Sequence, residues 1–322
     1  MTGPISLQGA EGLVSLDQTS DGRFSNGRDG VVGISSTGDR KVEFVRFASH
    51  TLAHVRSEMG YPAYYPVHTT RIEKPVKAVL MDLDGTTVHS EAFWIWIIEK
   101  TTADLAGDPS FRLSDGDFPH VSGHSVSEHL NYCIRKYAPD KTVEEARAIY
   151  FRHTHHEMRE ILDGRGREGA FTPSPGIKRF LLELKKAGIK IGLVTSGLHE
   201  KAWPEIVSAF RTLGMGDPAE FYDACITAGF PLRPGFPGTL GELSPKPHPW
   251  LYAETARVGL GLPFKDRHHV VGIEDSGAGI CAIRLAGFSA IGIKGGNIVE
   301  SGTLGLCDHF CPSFDEILKM IL

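Results

Sequence analysis

Lys77-Ala78-Val79-Leu80-Met81-Asp82-Leu83-Asp84-Gly85-Thr86-Thr87 joins an apolar run of strand length to two carboxylates spaced i, i+2, then to a glycine and two hydroxyl residues. Such a run reads as a strand buried on both faces. Its acids then sit at the carboxyl end, the edge where open α/β sheets hold their active sites. Two acids on either side of one residue, followed by Gly-Thr, suit a nucleophile and an acid/base sharing one metal-dependent centre.

On both sides of this stretch the chain changes character. Downstream, strands at 189–194, 223–227, 269–273 and 289–293 alternate with helices at 176–187, 201–213, 250–258, 278–286 and 314–322. That alternation predicts an α/β fold, a doubly wound parallel sheet covered by helices on both faces. It breaks between about 88 and 172, where 93–105, 127–137 and 143–162 read as helices. Asp140-Lys141-Thr142 followed by Glu144 and Glu145 gives the last of these a start with acids in its first turn. A helical block inserted after the first strand is placed to form a cap. The expected organisation is an N-terminal extension over 1–75, an α/β core over 76–88 and 172–322, and a helical cap over 89–171. Within the extension, residues 1–40 are rich in Gly, Ser, Asp and Thr and read as loop. Val42, Val45, Phe47, Leu52 and Val55 recur at loosely helical spacing, which predicts a helix from Lys41 to Met59 stopped by Gly60 and Pro62. Tyr61 to Pro66 reads as an extended connector.

Composition narrows the class. The 322 residues suit two modest domains plus an extension, and an apolar fraction of 41% supports a real core. A net charge of −5 gives no basic footprint for nucleic acid, though it leaves room for an anionic substrate at a locally cationic site. The N-terminus has no basic region followed by an apolar core, and no run is long and apolar enough to span a bilayer. Five scattered cysteines, an odd number, favour reduced thiols and a cytoplasmic setting. Cys307 and Cys311 are spaced i, i+4, but no second ligand pair follows them.

Four separated pieces end strands or begin helices of the parallel series. They are Asp82 with Asp84, Thr195-Ser196-Gly197, Lys246-Pro247, and Glu274-Asp275-Ser276. A doubly wound sheet gathers them at one edge. The resulting set of carboxylates, hydroxyls and a lysine suits phosphoryl transfer. Asp82 and Asp275 offer hard oxygen ligands to Mg²⁺. Asp82 can attack phosphorus once the metal and Lys246 offset the repulsion between anions. Thr195 can donate its hydroxyl to a phosphate oxygen, and Asp84 can protonate the leaving oxygen and later deprotonate water. His199, at the start of the next helix, reads either as a phosphate contact near a helix N-terminus or as a simple capping or packing residue.

These motifs resemble those of the haloacid dehalogenase superfamily, in the branch similar to β-phosphoglucomutase and sugar-phosphate phosphatases. Asp82 to Thr86 matches its DxDGT motif, Thr195 its second, Lys246 its third, and the Glu274-Asp275 pair its fourth. Thr172-Pro173-Ser174-Pro175-Gly176 resembles the family's return from cap to core, and the likeness runs from about Val76 to Leu322. The resemblance implies a Rossmann-like core with a helical cap. It implies a phosphorylated Asp82, an acid/base Asp84, and Mg²⁺ held by Asp82, the Asp84 carbonyl and Asp275, with Glu274 as a close partner. Thr86, Ser196 and Gly197 would join Thr195 and Lys246 around the phosphate. His124 lies in Val121-Ser122-Gly123-His124-Ser125, which resembles the family's substrate-facing cap loop. The implied reaction is hydrolysis of a small phosphorylated metabolite, such as a sugar phosphate. A phosphosugar mutase is the alternative, and a weakly active binding protein a third reading.

Departures from the family pattern sharpen this. Asp84 argues against the dehalogenase and phosphonate-cleaving branches, which lack a second Asp. His89-Ser90 replaces the usual Asp-Ser. Trp94 and Val126 stand where mutases carry a histidine and a cap arginine, which favours hydrolysis. The segment 228–243 is an unusually long Pro/Gly-rich insertion, and its Arg233 reads either as a substrate contact or as a solvated surface residue. His153, His155 and His156 have no acidic or cysteine partner spaced to complete a metal site, and Phe93-Trp94-Ile95-Trp96 reads as cap packing. Gly277-Ala278-Gly279 lacks dinucleotide-motif spacing and reads as a close helix–strand approach.

Overall fold

The structure, a computed structural model, describes residues 12–56, 61–121, 126–227 and 244–322. Contacts divide the chain into two compact units. The first comprises residues 1–87, 174–202 and 215–322, and the second comprises 88–173 and 203–214. His124 and the long insertion with Arg233 lie outside the described residues.

The first unit opens with a five-stranded antiparallel sheet in sequential order: β1 (Val14–Leu16), β2 (Val31–Ser36), β3 (Val42–Phe47), β4 (Thr51–Val55) and β5 (Ala63–Pro66). This corrects two expectations. Residues 42–47 and 51–55 are two strands rather than one helix, and Val14–Leu16 and Val31–Ser36, expected as loop, are strands as well. Both faces of the sheet carry apolar side chains. Val42, Phe44, Ala53 and Val55 face one cluster, while Val45 belongs to another with Val31 and Ile34, joined by Phe24, Phe47 and Leu52. Strands apolar on both faces lose the alternation that marks a half-buried strand. The tight β3–β4 turn, closed by Phe47 N–H donating to the His50 carbonyl at 2.8 Å, has no Gly, Pro or Asn to announce it.

The second sheet is parallel and six-stranded. It contains β6 (Ala78–Asp82), β9 (Lys190–Thr195), β10 (Ala224–Thr227), β11 (Val270–Glu274), β12 (Ser289–Ile293) and β13 (His309–Cys311), in the order β10-β9-β6-β11-β12-β13. Between β6 and β9 the chain forms a two-stranded pair in the second unit, β7 (Val88–His89) with β8 (Thr172–Pro173). β6 occupies the middle, so the chain winds outward through β9 and β10 on one side and through β11, β12 and β13 on the other. That reversal of winding is where such sheets open a crevice at their carboxyl ends. Every residue of β6, β11 and β12 is buried, as a sheet covered on both faces requires. β13, three residues long with two of them exposed, carried too little pattern to be expected from sequence.

The N-terminal sheet and the α/β sheet share one core. Val42, Phe44, Ala53 and Val55 cluster with Ala78, Leu80, Val194, Leu251, Tyr252 and Ile280. Gly192, in β9, sits where a Cβ would collide with the Thr255 side chain and press on Leu80, which makes glycine the residue that lets helix and strand approach.

The second unit is helical. Its long helices are Glu91–Ala106, Val126–Tyr137 and Val143–Leu162. Thr142 caps the last of these in a reciprocal box: its hydroxyl accepts from Glu145 N–H at 3.2 Å, and the Glu145 carboxylate accepts from Thr142 N–H at 2.8 Å. Phe93 is buried against Trp94, Trp96 and Phe171. His153 pairs with Asp104 at 2.9 Å. No helix among the described residues is long and apolar enough to cross a membrane, and all five cysteines are free thiols.

Candidate active site

Asp82 ends β6, Thr195 ends β9 and Glu274 ends β11, three neighbouring strands whose carboxyl ends share one edge. Asp275 follows Glu274 at once. Lys246 lies in the turn before the helix Trp250–Glu254. The structure therefore brings together four groups separated by up to 193 residues of chain.

Lys246 stands between two acids. Its ammonium contacts the Asp82 carboxylate directly and donates to Glu274 Oε1 at 2.5 Å. Both acids and the lysine side chain are buried. Burial alone would pull the lysine pKa down, but the attraction of Asp82 and Glu274 outweighs it and holds the pKa above the ordinary lysine range. Asp82 is pushed well up, first by burial, then by repulsion from Glu274, which Lys246 only partly offsets. Asp275 is raised to about 7, again by burial first and Glu274 second.

Glu274 is fully buried and has four donors. Lys246 and the Tyr252 hydroxyl (2.9 Å) share Oε1, while the Ser276 backbone N–H (3.2 Å) and hydroxyl (2.9 Å) reach Oε2. Gly279 makes room for this carboxylate, because a Cβ there would collide with it. The close approach inferred for Gly277 and Gly279 is thus partly an approach to the Glu274 side chain itself. Asp275 accepts from the Thr86 hydroxyl at 3.3 Å. Gly85, at φ +83°, and Gly296 both face Asp275 so closely that a Cβ on either would strike its carboxylate. Thr86 is fully buried, with its hydroxyl turned to Asp275.

Thr195 is buried, and its oxygen accepts the Gly197 N–H at 2.9 Å, which leaves its own proton to be donated. Ser196 is exposed, and its hydroxyl accepts the Lys246 backbone N–H at 3.1 Å. Asp84 is exposed, two residues beyond Asp82, and His199 is half-buried as the first residue of the helix His199–Leu213. Tyr252 went unnoticed in the sequence. It supplies a hydroxyl to Glu274 and a ring face 5.3 Å from the Lys246 nitrogen. Its position six residues after Lys246, at the start of a helix, was the available signal.

Ligand oxygens of Asp82, Glu274 and Asp275 lie within 4.8 Å of one another. Among the described residues this centre sets three carboxylates against one ammonium. Hard oxygen donors with an uncompensated excess of negative charge fit a small divalent cation.

Comparison with known proteins accords with this geometry. A family model for haloacid dehalogenase-like hydrolases matches residues 76–287. A β-phosphoglucomutase from Bacillus subtilis is 29% identical over 233 residues, which span 69% of this chain and 84% of that protein. Among solved structures, CbbY from Rhodobacter sphaeroides in complex with phosphate is 22% identical with a TM-score of 0.53, over 75% of this chain and 96% of that one. A HAD hydrolase of family IA, variant 3, from Entamoeba histolytica is 19% identical with a TM-score of 0.54, over 76% and 97%. The two structures share the fold, and the family match spans most of the chain, from the strand that carries Asp82 past the Glu274-Asp275 pair. The chain is an enzyme of the haloacid dehalogenase-like hydrolase family.

Proposed function

We propose that this enzyme is a Mg²⁺-dependent phosphomonoester hydrolase that acts on a small phosphorylated metabolite through an aspartyl-phosphate on Asp82. The observation that carries this reading is the Asp82 carboxylate, buried at a strand end against the Lys246 ammonium with Asp275 beside it.

Asp82 and Asp275 would hold the metal, with the Asp84 carbonyl completing the protein's share. Bound there, Mg²⁺ supplies the positive charge that lets a carboxylate approach a phosphate dianion. Glu274, with four donors on its two oxygens, serves instead to fix Lys246. Lys246 and the Thr195 hydroxyl meet the phosphate oxygens as charge builds on them. Asp82 attacks phosphorus and becomes the acyl phosphate. Asp84, exposed and two residues on, gives its proton to the departing oxygen and then takes one from the water that attacks the acyl phosphate. The phosphate is released and Asp82 is restored. A screen of phosphorylated metabolites with Mg²⁺, reading released phosphate, tests this. Turnover that persists in Asp82→Asn would refute the mechanism.

The similarity to a β-phosphoglucomutase supports a second reading, transfer of phosphate between two positions of one sugar. Trp94 and Val126, in place of the mutase histidine and arginine, weigh against it. Phosphorus NMR of a hexose 1-phosphate separates the two. Free phosphate without the 6-phosphate isomer supports hydrolysis, and the isomer without free phosphate supports the mutase.

A further inference from the structure

Strand β5 alternates its side chains across the N-terminal sheet. Tyr64 joins the second cluster with Val45, while Tyr65 packs against the core shared with the α/β sheet. From there Tyr65 reaches the segment that bears the lysine. Its hydroxyl lies 2.8 Å from His248 Nδ1, and its ring meets His248 and Trp250 edge-on, with centroids 5.8 and 5.7 Å apart. His248 is 1% exposed. Its backbone N–H donates to the Pro245 carbonyl at 3.1 Å, closing a turn whose central residues are Lys246 and Pro247. At the entry to that turn, Lys246 N–H donates to the Ser196 hydroxyl. The turn is therefore tied at one end to the loop after β9 and at the other to a ring from the N-terminal sheet. Tyr65 lies outside the family match, which starts at residue 76.

We propose that Tyr65 is a positioning residue for Lys246, acting through His248, and that the N-terminal sheet is thereby part of the active centre. The functional half of this rests on the reading of Lys246 as the lysine that meets phosphate. Its physical basis is geometric. The ammonium must sit between Asp82 and Glu274, and displacements of about 1 Å in such a centre can cost on the order of a hundredfold in rate. A turn pinned at both ends holds the lysine backbone still, and releasing one end widens the range over which the ammonium samples.

Tyr65→Phe keeps the ring against Trp250 and removes the oxygen bound to His248. Tyr64→Phe, one residue earlier on the opposite face, removes a hydroxyl that binds Asp21 at 3.0 Å and serves as the control. Amide hydrogen exchange over 245–252 should rise about tenfold in Tyr65→Phe and stay unchanged in Tyr64→Phe. In the same variant kcat for phosphate release should fall about fivefold with KM little changed, the pattern of a group that matters in the transition state. Unchanged exchange over 245–252 in Tyr65→Phe would overturn the proposal, as would a rise shared equally by Tyr64→Phe. So would full kcat in Tyr65→Phe beside an active wild type. A wild type without turnover on any phosphate ester counts against the phosphatase reading alone, because the exchange measurement still decides whether Tyr65 holds the turn.

Discussion

Lys246 Nζ lies 2.5 Å from Glu274 Oε1 while contacting Asp82, so one ammonium is shared by two buried carboxylates. Removing one member of a buried charge set is far more damaging than the set is stabilising, because the remaining charges lose their partner. Lys246→Met should therefore cost about 3 kcal/mol of stability in the presence of EDTA, as well as turnover. Urea denaturation measures it. An unchanged midpoint would show that Asp82 and Glu274 do not depend on the lysine.

The excess of carboxylate over ammonium gives a second expectation. A cation that binds only the folded chain stabilises it by mass action, by about 2.7 kcal/mol at a hundred times the dissociation constant. Mg²⁺ should raise the thermal midpoint of the wild type, and Asp275→Asn should remove most of that rise. Equal Mg²⁺ responses in the two proteins would place the ion elsewhere.

Asp117 tests the helical unit. It is fully buried, and its carboxylate accepts from Ser114 N–H and hydroxyl, from the Tyr132 and Tyr137 hydroxyls, and from Lys136. Burial pushes its pKa up, but the bonds from Lys136, Ser114 and the two tyrosines outweigh this and hold it well below the usual carboxylate range. A carboxylate depressed on folding contributes stability above its unfolded pKa and loses it as pH falls toward the folded one. Asp117→Asn should cost about 2 kcal/mol at pH 7, in line with hydrogen bonds to a charged group. The gap between wild type and variant should narrow below about pH 4, where the unfolded carboxyl protonates. Denaturation curves at pH 7 and pH 3 check this, and a gap that widens in acid would contradict it.

The N-terminal sheet is structural before it is anything else. Phe44 is 2% exposed in the cluster that also holds Leu80 and Ile280. Phe44→Ala should cost about 3–5 kcal/mol, the usual penalty for emptying such a site. Removal of residues 1–66 should leave the core unable to fold in soluble form. A soluble truncated chain with an unchanged thermal midpoint would show the sheet to be dispensable.

The site was more legible than the frame around it. Asp82, Thr195, Glu274 and Asp275 lie at or just past the end of an apolar run, so a parallel sheet was enough to gather them, and Lys246 joins them from the turn before a helix. The strand Ser289–Ile293 and the helix Val143–Leu162 stand where their patterns put them, because each sits between clear turn or cap residues. The N-terminal strands were hidden for a physical reason. Val42 and Phe44 face one cluster and Val45 another, so apolar residues occur on both sides of the strand and imitate helical spacing. The contacts of Tyr65 with His248 and of Tyr252 with Glu274 were illegible because they depend on which distant residue each hydroxyl meets, and no local pattern encodes that.

The proposed mechanism makes Asp82 the residue that is covalently phosphorylated. Borohydride reduces an acyl phosphate to the alcohol, so a phosphorylated Asp82 quenched during turnover would be converted to homoserine. Peptide mass spectrometry of enzyme trapped with a turned-over phosphate ester should place that change at Asp82, in the wild type and only with substrate present. An unmodified Asp82 during active turnover, or modification at another residue, would contradict the claim.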